Sequence, residues 1–581
     1  MPASSLALVQ DAPPLNALAS APAGEVVVLK FGSSILRGPQ DCPAVASAIY
    51  AHVRQGRRVV AVVSAFAGQT DRLLTDARGL GLAHENELLP AYVALGEEKA
   101  AALVAIACDR IGLDAEALSV RELGVEAQGA AEHARPVALN GEGLRRALAR
   151  RQVVIAPGFG AVRPDGRLAL LGRGGSDLTA VFLAAELGLD RARLIKDVDG
   201  LYDHDPNDAS GGALRYRRAS WDEARRLGGS LVQRDAIDLG QQRGVEIEVG
   251  ALDRDDGTVI GDRSAPPGPS SPPAPIRVAV AGCGVVGGGV VSRLLDDPRY
   301  EVVGVLVRDP AKPRDVPVPA ALLTSDADAL LSCKPDIVLE ALSEGQAGYD
   351  LIRRALDAGC DVASANKQAV SRDPGGLLAL AEARGQRLAW SASVGGGAPM
   401  IETLRVARAA GPVAGFEAVL NGTVNFMLER LGQGAAFDEA LADARAAGFA
   451  EEDPSSDLEG QDAAAKVRLL AFEAFGASPE AEAVPRDVLS AANPSVGARQ
   501  IGACRRGRDG ALTASVALDA GCSDALFQSL SGEGNALKVY GEDGRVWTCK
   551  GRGAGRWATT ESLMADLKDI VRARRAEALA I

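Results

Sequence analysis

One change of hydrophobic rhythm stands out along the chain. Residues 276–281 read Ile-Arg-Val-Ala-Val-Ala, a short apolar run rich in β-branched side chains, and Val290, Val291, Leu294 and Leu295 then recur at helical spacing. Gly282, Gly284 and Gly287 lie between, with Val285 and Val286 opening the helical stretch. This order predicts a strand, a tight glycine turn and a helix. Gly282 allows the turn, Gly284 lets backbone approach a pyrophosphate, and Gly287 lets helix and strand pack closely. The helix N-terminus then presents unpaired N–H groups to the phosphates, as in a Rossmann dinucleotide-binding domain.

Further short apolar runs at 301–307, 336–340, 361–367 and 388–391 read as strands, with a helical pattern at 349–358. Before residue 263, runs at 25–30, 59–64, 153–159 and 192–195 alternate with helical patterns at 91–107 and after 177. Alternation of this kind predicts α/β architecture, with mostly parallel sheets covered on both faces. Residues 415–420 and 513–518 look like strands separated by helices, so the character changes toward α+β there.

At 581 residues, several folding units are expected. Residues 263–275 form a Pro/Ser/Gly linker between two halves, and the Ala/Pro/Leu-rich residues 1–24, lacking Lys and Arg, read as a disordered tail. A net charge of −13 disfavours nucleic-acid binding. No apolar run is long enough to span a bilayer. The 8 cysteines are scattered without a CxxC pair, which points away from a zinc site or disulfide framework and toward a reducing cytoplasm.

Two scarcities narrow the chemistry. The 4 histidines, His52, His84, His133 and His204, all precede the linker, so proton transfer in the second half must use another group. Lys30, Lys99 and Lys196 are the only lysines before the linker, in a chain that favours arginine. Lysines kept in that setting are candidates for work arginine cannot do.

In the first half, Lys30 ends a strand and is followed by the small-residue turn Gly32-Ser33-Ser34, a geometry that can hold a phosphate. Gly172-Arg173-Gly174-Gly175 brings N–H groups near anionic oxygens, and Arg173 can clamp a carboxylate. Asp177 and Asp197 can orient groups around a nucleotide and Mg²⁺. Together these suggest an ATP and amino-acid site without a Walker loop. Taken singly, the glycine stretch also reads as an ordinary loop and the Asp-rich run as a solvated turn.

Residues 25–262 resemble the aspartate kinase branch of the amino-acid kinase family. The resemblance rests on Lys30-Phe31-Gly32, Val63-Ser64-Ala65, Gly96-Glu97, Pro157-Gly158-Phe159, residues 172–177, Asp197-Val198-Asp199-Gly200 and Gly257-Thr258-Val259-Ile260. It implies an amino-acid-kinase-like parallel-sheet domain that uses ATP with Mg²⁺. Thr70, Glu97, Phe159 and Arg173 would face aspartate, Lys30 and Asp177 would serve phosphoryl transfer, and Gly32, Ser33, Ser34, Lys196, Asp197 and Tyr202 would border the nucleotide. The chain departs from the family pattern at Ser33, Ile35, Lys196, Asn207, Ser230 and Gln233-Arg234, mostly on the ATP side. The alternative is a weak or inactive kinase-like domain serving as a scaffold or amino-acid-binding module.

In the second half, Arg308 and Lys312 follow the strand at 301–307 and suit the extra phosphate of NADP, while the adjacent Asp309 keeps NAD open. Lys367 ends a strand at the side where open α/β sheets bind substrates. Asp462 and Lys466, four residues apart, share a helix face behind the acidic loop 451–459.

Residues 276–573 resemble homoserine dehydrogenase. The motifs are residues 282–289, 364–367, 394–399, 421–425, 451–466 and 551–555. The resemblance implies reduction of aspartate semialdehyde to homoserine with NAD(P)H. Lys466 would donate the proton and Lys367 would assist. Glu451 would bind the substrate amine, with Asp457 and Asp462 nearby, and Asn366 and Gly555 would border the cofactor. It also implies a cofactor domain at 276–405, a substrate and dimerisation domain at 406–545, a return to the cofactor domain at 546–581, and a homo-oligomer (dimer or tetramer). Ser391 stands where the family commonly has an acidic cation ligand, so the metal is left unassigned. The kinase resemblance implies paired ACT regulatory domains, but residues 261–275 are too few for one, and the chain ends soon after a helix at 563–574, so none is expected.

Overall fold

The computed structural model describes residues 25–81, 86–206, 212–227, 231–252, 254, 256–269, 274–450, 452–553 and 555–580. The tail at 1–24, Asn207, Ser230 and Glu451 lie outside them. The chain divides into two compact units, one of residues 1–109 and 114–272, the other of residues 273–581 with 110–113.

The first unit is built on an eight-stranded sheet whose centre is Arg191–Lys196, Val26–Phe31, Arg58–Val63 and Val153–Pro157, in that spatial order and all parallel. Arg58–Val63 and Val153–Pro157 are buried along their whole length. A strand with no polar alternation needs cover on both faces. Toward one edge, Glu246–Ala251 and Thr258–Gly261 form the sheet's one antiparallel pair. The helix Gly175–Glu186 packs on the central strands and is buried from Gly175 to Ala184. Because the central strands run parallel, Lys30, Ser64, Gly158 and Lys196 all fall at their C-terminal ends. A separate four-stranded sheet, formed by Val125–Ala130, His133–Leu139, Gly160–Val162 and Leu168–Leu170, was not legible in the hydrophobic pattern. Part of the expected linker is ordered, since Gly268–Pro269 pairs with Leu214–Arg215.

The second unit holds a six-stranded parallel sheet in the order Leu323–Thr324, Tyr300–Leu306, Ile276–Ala281, Ile337–Glu340, Asp361–Ser364, Leu388–Ala389. A five-stranded antiparallel sheet follows, in the order Leu512–Asp519, Arg499–Arg506, Val413–Val419, Gly534–Gly541, Val546–Arg552. The expected boundary at 546 is therefore corrected. Val546–Arg552 pairs along its length with Gly534–Gly541, and the chain returns to the cofactor sheet only with the helix Arg556–Ala580. That helix packs on Val285–Leu295, where Thr560 fills the space over Gly289. The helix Gln461–Phe475 packs against the antiparallel sheet and against Lys367–Val370, which brings the second lysine-bearing element to the parallel sheet's C-terminal edge.

Candidate active sites

In the first unit two cavities meet. One, of about 360 Å³, is lined by Thr70, Glu97, Phe159, Arg173 and Asp177. The other, of about 640 Å³, is lined by Gly32, Ser34, Asp197, Tyr202 and His204. Lys30, Ser33 and Lys196 line both. The residues expected on the amino-acid side and those expected on the nucleotide side thus gather in separate cavities with a common wall.

The common wall is electrostatic. Asp177 lies in the first turn of its helix and is 2 % exposed. Lys30 Nζ is 2.5 Å from Asp177 Oδ1, and Lys196 Nζ donates to Asp177 Oδ2 at 2.9 Å. Burial alone would push Asp177 up, but the two ammonium groups outweigh it and hold its carboxyl below the usual range. Burial, and then Lys30, lower the Lys196 ammonium against the pull of Asp177. The carboxylate expected to orient Mg²⁺ is therefore committed to two lysines. Among the described residues no cluster of His, Cys, Asp and Glu is fit to hold a metal by itself.

Glu97 projects from Leu89–Arg110 and accepts from the Ala65 N–H at 3.3 Å. Its other oxygen is buried without a hydrogen-bond partner, and burial pushes the carboxyl up to about 7. Phe159 has a φ of 69°, a left-handed conformation that costs a non-glycine residue energy. Its N–H donates to Thr179 Oγ1 at 3.2 Å and its carbonyl accepts from Leu171 N at 2.8 Å, which hold it there. Arg173 is exposed at the rim. Gly174 is obligatory, with a φ of 77° and Gln233 filling the place of any Cβ.

In the second unit the glycine turn matches its expected geometry. Gly282 has a φ of 95°, a Cβ on Gly287 would lie 2.0 Å from the Gly282 carbonyl, and the Cβ position of Gly284 faces open space. A dinucleotide pyrophosphate fits this cradle at the N-terminus of Val285–Leu295. Gly555 has a φ of 107° and opens the helix packed on it. Arg308 and Lys312 are exposed in the loop after Tyr300–Leu306. Asp309 is spent on a local turn, accepting from Ala311 N at 2.9 Å. Arg314, missed in the sequence, closes the loop by donating to the carbonyls of Pro310 at 3.2 Å and Lys312 at 2.6 Å. Its signal was a third cation within seven residues of Arg308.

Beyond the cradle, Asp462 gathers the polar centre. Its carboxylate pairs with Lys367, with Lys466 Nζ at 2.9 Å, and accepts from Asn421 Nδ2 at 2.9 Å. Lys466 also donates to the Leu420 carbonyl at 2.7 Å. Burial lowers the Lys466 ammonium to about 8, against the opposing pull of Asp457. Asn421 Nδ2 reaches Asp457 Oδ1 as well, at 2.8 Å, while its Oδ1 caps the helix Gly422–Gly432 through Val424 N at 2.9 Å. The motif 421–425 was visible in the sequence, but the double contact of Asn421 was not.

Asn366 is tied to the turn that follows Asp361–Ser364. Its amide donates to Glu340 Oε1 at 3.1 Å and to the Glu344 carbonyl at 3.2 Å, and its Oδ1 caps Lys367–Val370 through Ala369 N. This side chain fixes the turn that carries Lys367. Glu340 is fully buried, accepts from Ser364 Oγ at 2.6 Å, and is raised by burial. Ser391 is buried with no hydrogen-bond partner for its hydroxyl.

Family models match three stretches: the amino acid kinase family at residues 25–247, the NAD binding domain of homoserine dehydrogenase at 282–390, and homoserine dehydrogenase at 399–567. A homoserine dehydrogenase from Pseudomonas aeruginosa is 31% identical over 320 residues, covering 52% of this chain and 73% of that protein. One from Synechocystis is 32% identical over 323 residues, covering 51% and 73%. Among solved structures, a homoserine dehydrogenase from Thiobacillus denitrificans is 30% identical with a TM-score of 0.46, covering 52% of this chain and 74% of that one.

Proposed function

The chain belongs to the homoserine dehydrogenase family, and on that premise we propose how its residues divide two reactions between them. The second unit reduces aspartate semialdehyde to homoserine. The observation that carries this reading is the meeting of Lys367, Asp462 and Lys466 at the C-terminal edge of a parallel sheet whose glycine turn is shaped for a dinucleotide. The nicotinamide cofactor supplies the hydride when bound. Gly282, Gly284, Val285, Val286, Gly287 and Gly555 hold its pyrophosphate region, and the exposed cations Arg308 and Lys312 favour NADP. Lys466 holds the proton that the carbonyl oxygen needs, and an ammonium lowered to about 8 releases it readily near neutral pH. Asp462 aims both lysines, Lys367 assists at the carbonyl, and Asp457 and Glu451 receive the substrate amine. Aspartate-semialdehyde-dependent NADPH oxidation tests the assignment: Lys466→Ala must abolish most of it while the protein still binds NADPH.

The first unit transfers the γ-phosphoryl group of ATP to the side-chain carboxylate of aspartate. Thr70, Glu97, Phe159 and Arg173 receive aspartate, while Gly32, Ser33, Ser34, Asp197 and Tyr202 receive the nucleotide, which brings its own Mg²⁺. The family match at 25–247 and the two adjoining cavities support this. Aspartate-dependent ADP release is the test; aspartate binding without release would make the unit an amino-acid-binding module. The protein is read as a cytoplasmic homo-oligomer of the threonine and methionine branch. Its cysteines are free among the described residues, and no described helix is long and apolar enough to cross a membrane.

A further inference from the structure

We propose that Lys196 is a second catalytic cation of the first unit, stabilising the phosphoryl group as it passes from ATP to the carboxylate. This rests on the kinase reading above. Lys30 and Lys196 end neighbouring parallel strands and both line the two cavities, so any group moving from one cavity to the other passes them. They share one carboxylate, Asp177, so the buried cluster carries one positive charge in excess.

That excess is expensive where Lys30 is 4 % exposed and Lys196 is 9 % exposed. Asp197, exposed on the nucleotide side, attracts Lys196 but does not pair with it closely. An anion arriving between the cavities would complete the charge balance. In the transfer, a carboxylate oxygen forms a bond to the γ-phosphorus while the bond from that phosphorus to the β,γ-bridging oxygen breaks. ADP leaves with the electron pair, and no proton changes hands. Charge shifts onto the bridging and equatorial oxygens, which positioned cations stabilise more in the transition state than in the ground state. Lysine suits the task because its ammonium is a compact point charge.

The test uses the full chain, wild type and Lys196→Met, with Lys196→Arg as the charge-keeping variant. Lys196→Met should lower kcat for aspartate-dependent ADP release by about 10²-fold, the usual loss for one transition-state contact. Calorimetric aspartate affinity should change less than about threefold, because a transition-state contact leaves ground-state binding alone. Dehydrogenase activity should hold, and Lys196→Arg should recover part of the lost kcat. A kcat kept by Lys196→Met, or a loss confined to aspartate affinity, overturns the assignment. If Lys196→Met no longer binds aspartate and has lost its fold, Lys196→Thr carries the same comparison.

If the wild type itself releases no ADP, the kinase reading fails, and Lys196 is then judged on nucleotide binding alone. Its loss should narrow the preference for the Mg²⁺ complex of β,γ-imido-ATP over that of ADP by roughly tenfold, the worth of one charge-assisted contact to the terminal phosphate. An unchanged preference removes Lys196 from that phosphate.

Discussion

Each unit places one buried aspartate between two lysines, Asp177 between Lys30 and Lys196, and Asp462 between Lys367 and Lys466. In the second unit the arrangement sets a pH dependence. Lys466 is charged below about 8 and neutral above it. As the proposed acid in reduction, it makes kcat for aspartate semialdehyde fall as pH rises through about 8, whereas homoserine oxidation, which needs the neutral amine, should rise. Paired pH profiles check this; a reductive rate that is flat to pH 10 would remove Lys466 as the acid. Lys466→Ala should lower kcat by roughly 10²–10⁴-fold with little change in NADPH affinity. Asn421 holds Asp457 and Asp462 together, so Asn421→Ala should raise KM and lower kcat, and lose about 1 kcal/mol of stability with its helix cap. Asn421→Asp keeps the cap but sets like charges together; recovery of stability without activity would separate positioning from capping. Arg308→Ala should weaken NADPH more than NADH, because only NADPH carries the 2′-phosphate. Equal changes in KM for both would show that the loop does not discriminate.

At the level of elements, the strand Ile276–Ala281 and the helix Val285–Leu295 meet through two glycines with opposite demands. A Cβ on Gly287 would strike the Gly282 carbonyl at 2.0 Å, and backbone cannot give way as a side chain can. Gly287→Ala should therefore cost roughly 1–3 kcal/mol of stability through overpacking, read as a lowered Tm. Gly284 has a φ of −84° and open space around it, so Gly284→Ala should leave Tm unchanged while weakening NADPH binding. If both variants lowered Tm equally, the open face would not be the cofactor's. These glycines were legible in the sequence because turn, approach and packing each demand glycine at a set offset. The loop 308–314 was only half legible. Its cations were plain, but whether Asp309 faced a ribose or its own turn depended on hydrogen bonds the sequence does not reveal.

At the scale of the whole molecule, the second unit draws all but residues 110–113 from beyond 272, so a fragment starting at Ser271 should retain aspartate semialdehyde reduction. A folded, NADPH-binding but inactive fragment would show that residues before 271 complete the site. The sequence by itself determined the α/β class, the two halves and the glycine turn, and it marked out most of the side chains proposed to react. Those follow from local causes: apolar runs that need burial, glycines that permit turns, and lysines where arginine is the habit. Only the tertiary structure decided which side chains share a charge. Lys367 and Asp462 lie 95 residues apart, and Lys196 and Asp177 lie 19 apart. Pairing across such distances depends on strand order and helix packing rather than periodicity. The same cause bound Asn366 to Glu340, kept Val546–Arg552 in the antiparallel sheet, and set Lys196 against Asp177, the carboxylate that Lys30 also pairs with.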